Sequence, residues 1–95
     1  MARILVCDDE RDIVRALKIY LTAAGYEVLE AYNGKEALDV VGENEVDLIV
    51  LDVMMPVMDG ILCLRKMREA EIKIPVMFLT RRDVPRTNAR CALYY

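Results

Sequence analysis

The chain has 95 residues, a net charge of -3 and an apolar content of 56%. This length suits one domain with a modest core, and the apolar content excludes a disordered acidic tail. The acidic balance argues against nucleic-acid binding by the whole surface, and no apolar run approaches the ~20 residues that cross a bilayer. Three widely spaced cysteines and the lack of histidine exclude the common zinc patterns and favour a reduced, cytoplasmic setting.

The first third of the chain predicts a strand, a helix and a second strand. The apolar run Arg3–Cys7 is typical of a buried strand, and Asp8 or Asp9 is expected to cap the helix that follows. Gly25 fits the left-handed position that closes this helix. Five apolar residues share one helical face: Ile13, Leu17, Tyr20, Leu21 and Ala24.

The next segments predict an edge strand and a capped helix. Tyr26–Ala31 contains Glu27 and Glu30, and charge inside a short strand is typical of the edge of a sheet. Asn33 and Glu36 have the spacing of a capping box. The helix that they begin is expected to bury Ala37, Leu38 and Val41.

Leu48–Asp52 has four consecutive large aliphatic residues followed by an acid. This pattern predicts a strand buried on both faces, as in the centre of a parallel sheet. Asp59 is expected to cap a helix that runs to Glu69, and Val76–Thr80 to form a fourth strand. The buried stripe of that third helix is predicted to be Ile61, Leu64 and Met67.

The alternation of strands and helices predicts an α/β fold with right-handed crossovers and helices on both faces of a parallel sheet. We expect a flavodoxin-like, three-layer sandwich with strand order 2-1-3-4(-5), in which the last βα unit is missing or altered. Strands 1 and 3 are then neighbours. Their carboxyl ends bring Asp8, Asp9 and Asp52 together.

The predicted acid cluster favours a hard divalent cation. At ~4.5 Å and an effective dielectric constant near 20, each carboxylate pair repels by roughly 4 kcal/mol. Oxygen ligands without histidine suit Mg²⁺, which can bridge to a phosphoryl group. Asp52 would then be the nucleophile that attacks this group. Each residue alone also fits an ordinary cap or turn. The combination at one edge of the sheet favours the functional interpretation.

Three segments resemble the receiver domain of two-component response regulators: Ile4–Glu10 (ILVCDDE), Leu48–Gly60 (LIVLDVMMPVMDG) and Val76–Thr80 (VMFLT). The resemblance runs from Arg3 to about Thr80. It implies a cytoplasmic signalling domain, not an enzyme, that accepts a phosphoryl group from a phosphohistidine of a sensor histidine kinase.

The resemblance also implies a role for each motif residue. Asp52 is the phospho-acceptor and, with the acid pair Asp8 and Asp9, a ligand of Mg²⁺. The backbone carbonyl of Met54 is the remaining metal ligand from the protein. Thr80 supplies the switch hydroxyl.

The C-terminal part departs from the family pattern. Similar domains continue through a fourth helix, a fifth strand that ends in a lysine contacting the phosphoryl group, and a fifth helix, but no Lys follows Lys73. We therefore divide the chain into a receiver-like core, 1–80, and a divergent tail, 81–95, of the same domain. Asp83 could cap a helix over Val84–Tyr95, or the tail could end as a strand remnant.

Two consequences are expected from this departure. Without a fifth strand, the edge of strand 4 would be exposed and would favour homo-oligomers. Without the lysine, phosphorylation would switch the conformation weakly or not at all. A phosphorylation-impaired interaction module that keeps the receiver fold is therefore the alternative function.

Two further alternatives fit less well. A Mg²⁺ phosphatase with an Asp nucleophile would usually carry a second acid two residues after Asp52, where Met54 stands. A nucleotide-binding protein would need a Gly- or hydroxyl-rich loop where Asp8 to Glu10 stand. The four arginines between Arg81 and Arg90 are too few to indicate direct binding of nucleic acid.

Overall fold

The computed structural model describes residues 1–53, 55, 58–80 and 90–94. Within them the chain forms five strands and three helices. In chain order these are β1 (Arg3–Cys7), α1 (Arg11–Ala23), β2 (Glu27–Ala31), α2 (Gly34–Glu43), β3 (Leu48–Asp52), α3 (Gly60–Glu69), β4 (Val76–Thr80) and β5 (Arg90–Tyr94). No helix in the described part of the chain is long and apolar enough to cross a membrane.

The five strands form one sheet in the order β2-β1-β3-β4-β5. The first four are parallel, which confirms the predicted order 2-1-3-4 and the position of β2 at an edge. β1 lies between β2 and β3, with Cys7 opposite both Ala31 and Leu51. The carboxyl ends of β1 and β3 are therefore neighbours.

β5 supports the second of the two alternatives for the tail, a strand. Arg90–Tyr94 is a strand, not the end of a helix, and it pairs antiparallel with β4, with Arg90 opposite Thr80. Asp83, the expected cap of that helix, lies outside the described residues. Because β5 bonds to the N–H and C=O groups of β4, the expected open edge of β4 does not exist. The prediction of homo-oligomers through that edge is therefore wrong.

Among the described residues, the two faces of the sheet are covered unequally. On one face, α2 and α3 pack over a cluster of thirteen buried residues that includes Leu5, Ile49, Leu51 and Phe78. On the other face, α1 packs over a cluster of three, namely Ile4, Val6 and Val14. Below, we refer to these as the two-helix face and the one-helix face.

The observed N-caps of α2 and α3 are the predicted ones, whereas that of α1 is not. The side chains of Asn33 and Asp59 accept hydrogen bonds from the first-turn N–H groups of α2 and α3. α1 begins after Glu10, with no side-chain cap hydrogen bond, so the prediction that Asp8 or Asp9 caps it is wrong. Gly25 follows α1 with a φ of +99°, which confirms the predicted left-handed position.

The two predicted buried stripes are confirmed in part: Leu17 and Leu21 of α1 pack against the cluster of the one-helix face, and Leu64 of α3 packs against that of the two-helix face. In α1, Tyr20 is 74% exposed and Val14 is the fully buried residue. In α3, Ile61 is 49% exposed, whereas Cys63 and Met67 are fully buried. Each helix carries apolar residues on more than one side, so periodicity alone did not identify every buried residue.

Candidate functional site

Three carboxylates meet where β1 and β3 end. Asp8 directly follows β1, Asp52 is the last residue of β3, and the two strands are parallel neighbours in register. One carboxylate oxygen each from Asp8, Asp9 and Asp52 lies within 4.8 Å of the other two. The structure thus brings together the three acids that the strand order predicts to meet.

The cluster is largely shielded from water. Asp8 is 0% exposed and Asp52 is 3% exposed, whereas Asp9 lies at the surface. At 4.8 Å and an effective dielectric constant near 20, two ionised carboxylates repel by roughly 3–4 kcal/mol. The donor set consists of oxygens alone, which hard divalent cations such as Mg²⁺ prefer. The residues therefore fit a metal of this class.

Backbone contacts fix Asp8 at the edge of the sheet. Its N–H donates to the carbonyl of Ala31 at 3.2 Å, which ties it to the end of β2. Its Oδ1 accepts from the N–H of Glu10 at 2.9 Å, which turns the chain towards α1. The first bond fixes the backbone of Asp8, and the second holds one oxygen of its carboxylate. The sequence predicted a helix cap by Asp8 or Asp9, besides the meeting of the acids, and did not predict this turn.

Asp52 is held by the tight start of α3. The N–H of Gly60 donates to the carbonyl of Val53 at 2.8 Å, so the loop after β3 folds back on the strand end. A Cβ atom at position 60 would overlap the carbonyl oxygen of Asp52. The close approach of α3 to the end of β3 therefore requires glycine at this position.

Sulfur atoms pack directly behind the acids. The Cys7 thiol lies 3.3 Å from the carbonyl of Asn33, to which it donates, and 3.5 Å from the Met55 sulfur. The thiol of Cys63 donates to the carbonyl of Gly34 at 3.6 Å. Burial raises the pKa of the Cys7 thiol well above its usual range. Burial, with a smaller effect of Asp59, raises the pKa of Cys63 to about 11. Both thiols are protonated donors at neutral pH.

An open groove lies on the α1 side of the acids. It is lined by residues at the start of α1: Asp9, Glu10, Arg11, Asp12 and Ile13. The guanidinium of Arg11 lies 4.1 Å from the centre of the Tyr32 ring, a cation–π contact between α1 and the end of β2. The groove gives a ligand access to the surface acid, Asp9.

Two predicted site groups cannot be placed. The carbonyl of Met54 and the hydroxyl of Thr80 lie outside the part of the chain that the structure describes. The backbone of Thr80 ends β4 at the same edge of the sheet as the acids. Sequence reasoning also missed the support by Cys7, Met55 and Cys63, because buried sulfur residues give no motif.

Comparison with known sequences identifies the family. The profile of the response regulator receiver domain matches residues 4–93. The chain is 43% identical over 81 residues to the Alkaline phosphatase synthesis transcriptional regulatory protein PhoP of Bacillus subtilis, covering 85% of this chain and 34% of that protein. It is 44% identical over 81 residues to the response regulator MprA of Mycobacterium sp. (strain KMS), covering 85% of this chain and 35% of that protein. The chain thus spans about a third of the length of these relatives.

Solved structures of response regulators are also similar to this chain. The receiver domain of the Francisella response regulator 1452 superposes with a TM-score of 0.83 at 36% identity, covering 90% of this chain and 70% of that one. The response regulator TrrA from Thermotoga maritima, in complex with Mg²⁺ and BeF, superposes with a TM-score of 0.82 at 37% identity, covering 90% of this chain and 75% of that one. These findings favour the receiver function over the interaction-module alternative. The chain belongs to the response regulator receiver domain family and is a signalling domain of two-component systems.

Proposed function

We propose that Asp52 accepts a phosphoryl group in a Mg²⁺-dependent reaction, with a phosphohistidine of a sensor histidine kinase as the donor. The single observation that carries this proposal is the convergence of three carboxylate oxygens within 4.8 Å at the ends of β1 and β3. The complex of the Thermotoga relative with Mg²⁺ and BeF supports the same assignment of the metal.

Asp8, Asp9 and Asp52 hold the divalent cation, and the backbone carbonyl of Met54 is the fourth protein ligand that we propose. When bound, Mg²⁺ offsets the negative charge of the transferring group. An oxygen of Asp52 attacks phosphorus, a P–O bond forms, and the P–N bond to the donor histidine breaks with its electron pair going to the imidazole. Because Asp52 is 3% exposed, the resulting acyl phosphate is shielded from water.

Thr80 is proposed to donate its hydroxyl to a phosphoryl oxygen, since β4 ends at this edge of the sheet. We place the reaction in the cytoplasm, where the free thiols of Cys7 and Cys63 remain reduced. The domain itself is not proposed to turn over a substrate.

Intact-mass spectrometry with acetyl phosphate and Mg²⁺ tests the proposal. The wild-type chain should gain one adduct of ~80 Da, which chelation of the metal prevents. Asp52→Asn should gain none. Asp39→Asn is the matched control, because Asp39 is an exposed acid of α2 paired with Lys35, and this variant should react like the wild type. An adduct on Asp52→Asn, or none on the wild type, would contradict the proposal.

A further inference from the structure

The first turn of α2 approaches the loop between β3 and α3 unusually closely. Gly34, the first residue of α2, is buried. A Cβ atom built on it would lie 2.7 Å from the carbonyl oxygen of Met58 and 2.9 Å from the Cβ of Met58. Contacts this short do not occur for real Cβ atoms, and the carbonyl oxygen belongs to the backbone. Any side chain at position 34 must therefore displace the loop.

The same turn of α2 contacts the elements on both sides of the acid cluster. The thiol of Cys7, the residue before Asp8, donates to the carbonyl of Asn33. The thiol of Cys63 in α3 donates to the carbonyl of Gly34, and the Met55 sulfur lies against the Cys7 sulfur. The first turn of α2 therefore contacts the end of β1 directly, and it contacts α3, which follows the loop after β3.

The loop that Gly34 contacts is the loop that leaves Asp52. Its described end leads back to Asp52: Met58 precedes Asp59, the N-cap of α3, and the N–H of Gly60 donates to the carbonyl of Val53, the residue after Asp52. A shift of Met58 therefore moves the start of α3 against the end of β3, where Asp52, one of the proposed ligands, is located. Metal affinity depends on the positions of the ligands. The loss of a contact that supports a ligand typically weakens metal binding by roughly 10–100-fold.

We infer that Gly34 is a positioning residue for the divalent cation: its missing side chain lets the first turn of α2 set the loop after Asp52 at the distance that metal binding requires. The inference rests on the proposed function, because it concerns the same metal. Gly34 itself contacts neither the cation nor the phosphoryl group, and it acts through its close approach to the Met58 backbone.

Gly42 provides the matched control. It lies in the same helix, but a Cβ atom at this position would meet nothing within 4 Å. Gly34→Ala and Gly42→Ala therefore make the same chemical change in α2, one against the loop and one in open space. Both add a residue with higher helix propensity than glycine, so a difference between them reports the contact with Met58.

The test is a Mg²⁺ titration of the three proteins followed by two-dimensional ¹H–¹⁵N NMR, with melting temperatures measured without metal. Gly34→Ala should keep a dispersed spectrum and bind Mg²⁺ about 10-fold more weakly or worse, while Gly42→Ala binds like the wild type. Equal affinities of all three proteins, with a lowered melting temperature of Gly34→Ala alone, would reduce Gly34 to a structural role and overturn the inference. Failure of the wild type itself to bind Mg²⁺ would overturn the proposed function as well.

Hydrogen exchange of the wild-type protein tests the same link if Gly34→Ala does not fold. The N–H groups of Glu36 and Ala37 bond to Asn33 in the first turn of α2, and the N–H of Asn44 bonds to Val40 at the other end. Mg²⁺ should slow exchange severalfold at Glu36 and Ala37 and leave Asn44 unchanged. Exchange at Glu36 and Ala37 that is indifferent to Mg²⁺ would overturn the inference.

Discussion

The two faces of the sheet differ in what they bury and in what they support. Among the described residues, thirteen form the buried cluster of the two-helix face, and three form that of the one-helix face. The groups that pack behind the acids, including Cys7, Met55 and Cys63, all belong to the two-helix face. Stability and site geometry are therefore concentrated on the same side of the sheet. We expect substitutions there to affect both, and substitutions on the other face to be tolerated better.

The largest predicted difference is between two leucines of β3. Leu51 is fully buried on the two-helix face, and Leu48 is half-buried on the one-helix face. Leu51→Ala should lower the free energy of unfolding by about 3–4 kcal/mol, because it leaves a cavity, and Leu48→Ala by about 1 kcal/mol. Urea denaturation of both variants measures the difference. Equal losses would show that the two faces contribute alike.

Gly60→Ala should have the next largest effect. The added Cβ overlaps the Asp52 carbonyl, so the start of α3 must move away from the end of β3. We expect a loss of about 2 kcal/mol, in the range for overpacked sites. Gly42→Ala, in open space, should gain up to about 1 kcal/mol. Thermal unfolding of the pair measures both effects. An unchanged stability of Gly60→Ala would contradict the described approach of α3 to Asp52.

The buried thiol of Cys63 predicts a pH dependence of stability. Its pKa is raised from 9.0 to about 11 in the folded protein, so folding favours the protonated thiol. This contribution is complete below pH 9 and is lost as the pH rises towards 11. The wild type should lose on the order of 1 kcal/mol more stability across this window than Cys63→Ala does. Parallel stability curves for the two proteins would rule out the raised pKa.

Helix caps should give the smallest differences. Asn33 caps α2 through a 2.9 Å bond from the N–H of Glu36, whereas Glu10 precedes α1 without a side-chain cap bond. Asn33→Ala should lower the free energy of unfolding by about 1 kcal/mol, and Glu10→Ala by a few tenths. Guanidinium denaturation resolves the two. A larger loss for Glu10→Ala would reverse the assignment of the caps.

The sequence predicts the parallel part of this fold well because its signals are local. Continuous aliphatic runs and their ends locate β1, β3 and β4, and the Asn33 and Asp59 caps locate the starts of α2 and α3. The meeting of Asp8, Asp9 and Asp52 follows from the strand order alone, so the core of the candidate site was predictable. The roles of these acids stay predictions.

The remaining features depend on tertiary contacts that leave no local pattern. β5 forms against the edge of β4, and the sequence alone left both a helix and a strand remnant open for this part of the tail. The orientation of α1, with Tyr20 outward and Val14 inward, depends on how it packs on a face that no other described helix covers. The close approaches at Gly34 and Gly60 become visible only when the loop after Asp52 is seen against both helices.

The most direct test of the central claim is a structure of this chain with Mg²⁺ and beryllofluoride, an analogue of the phosphoryl group. We predict beryllofluoride on a carboxylate oxygen of Asp52, and Mg²⁺ between this group and the carboxylates of Asp8 and Asp9. Mg²⁺ bound away from these three acids, or beryllofluoride bound to another residue, would contradict the account.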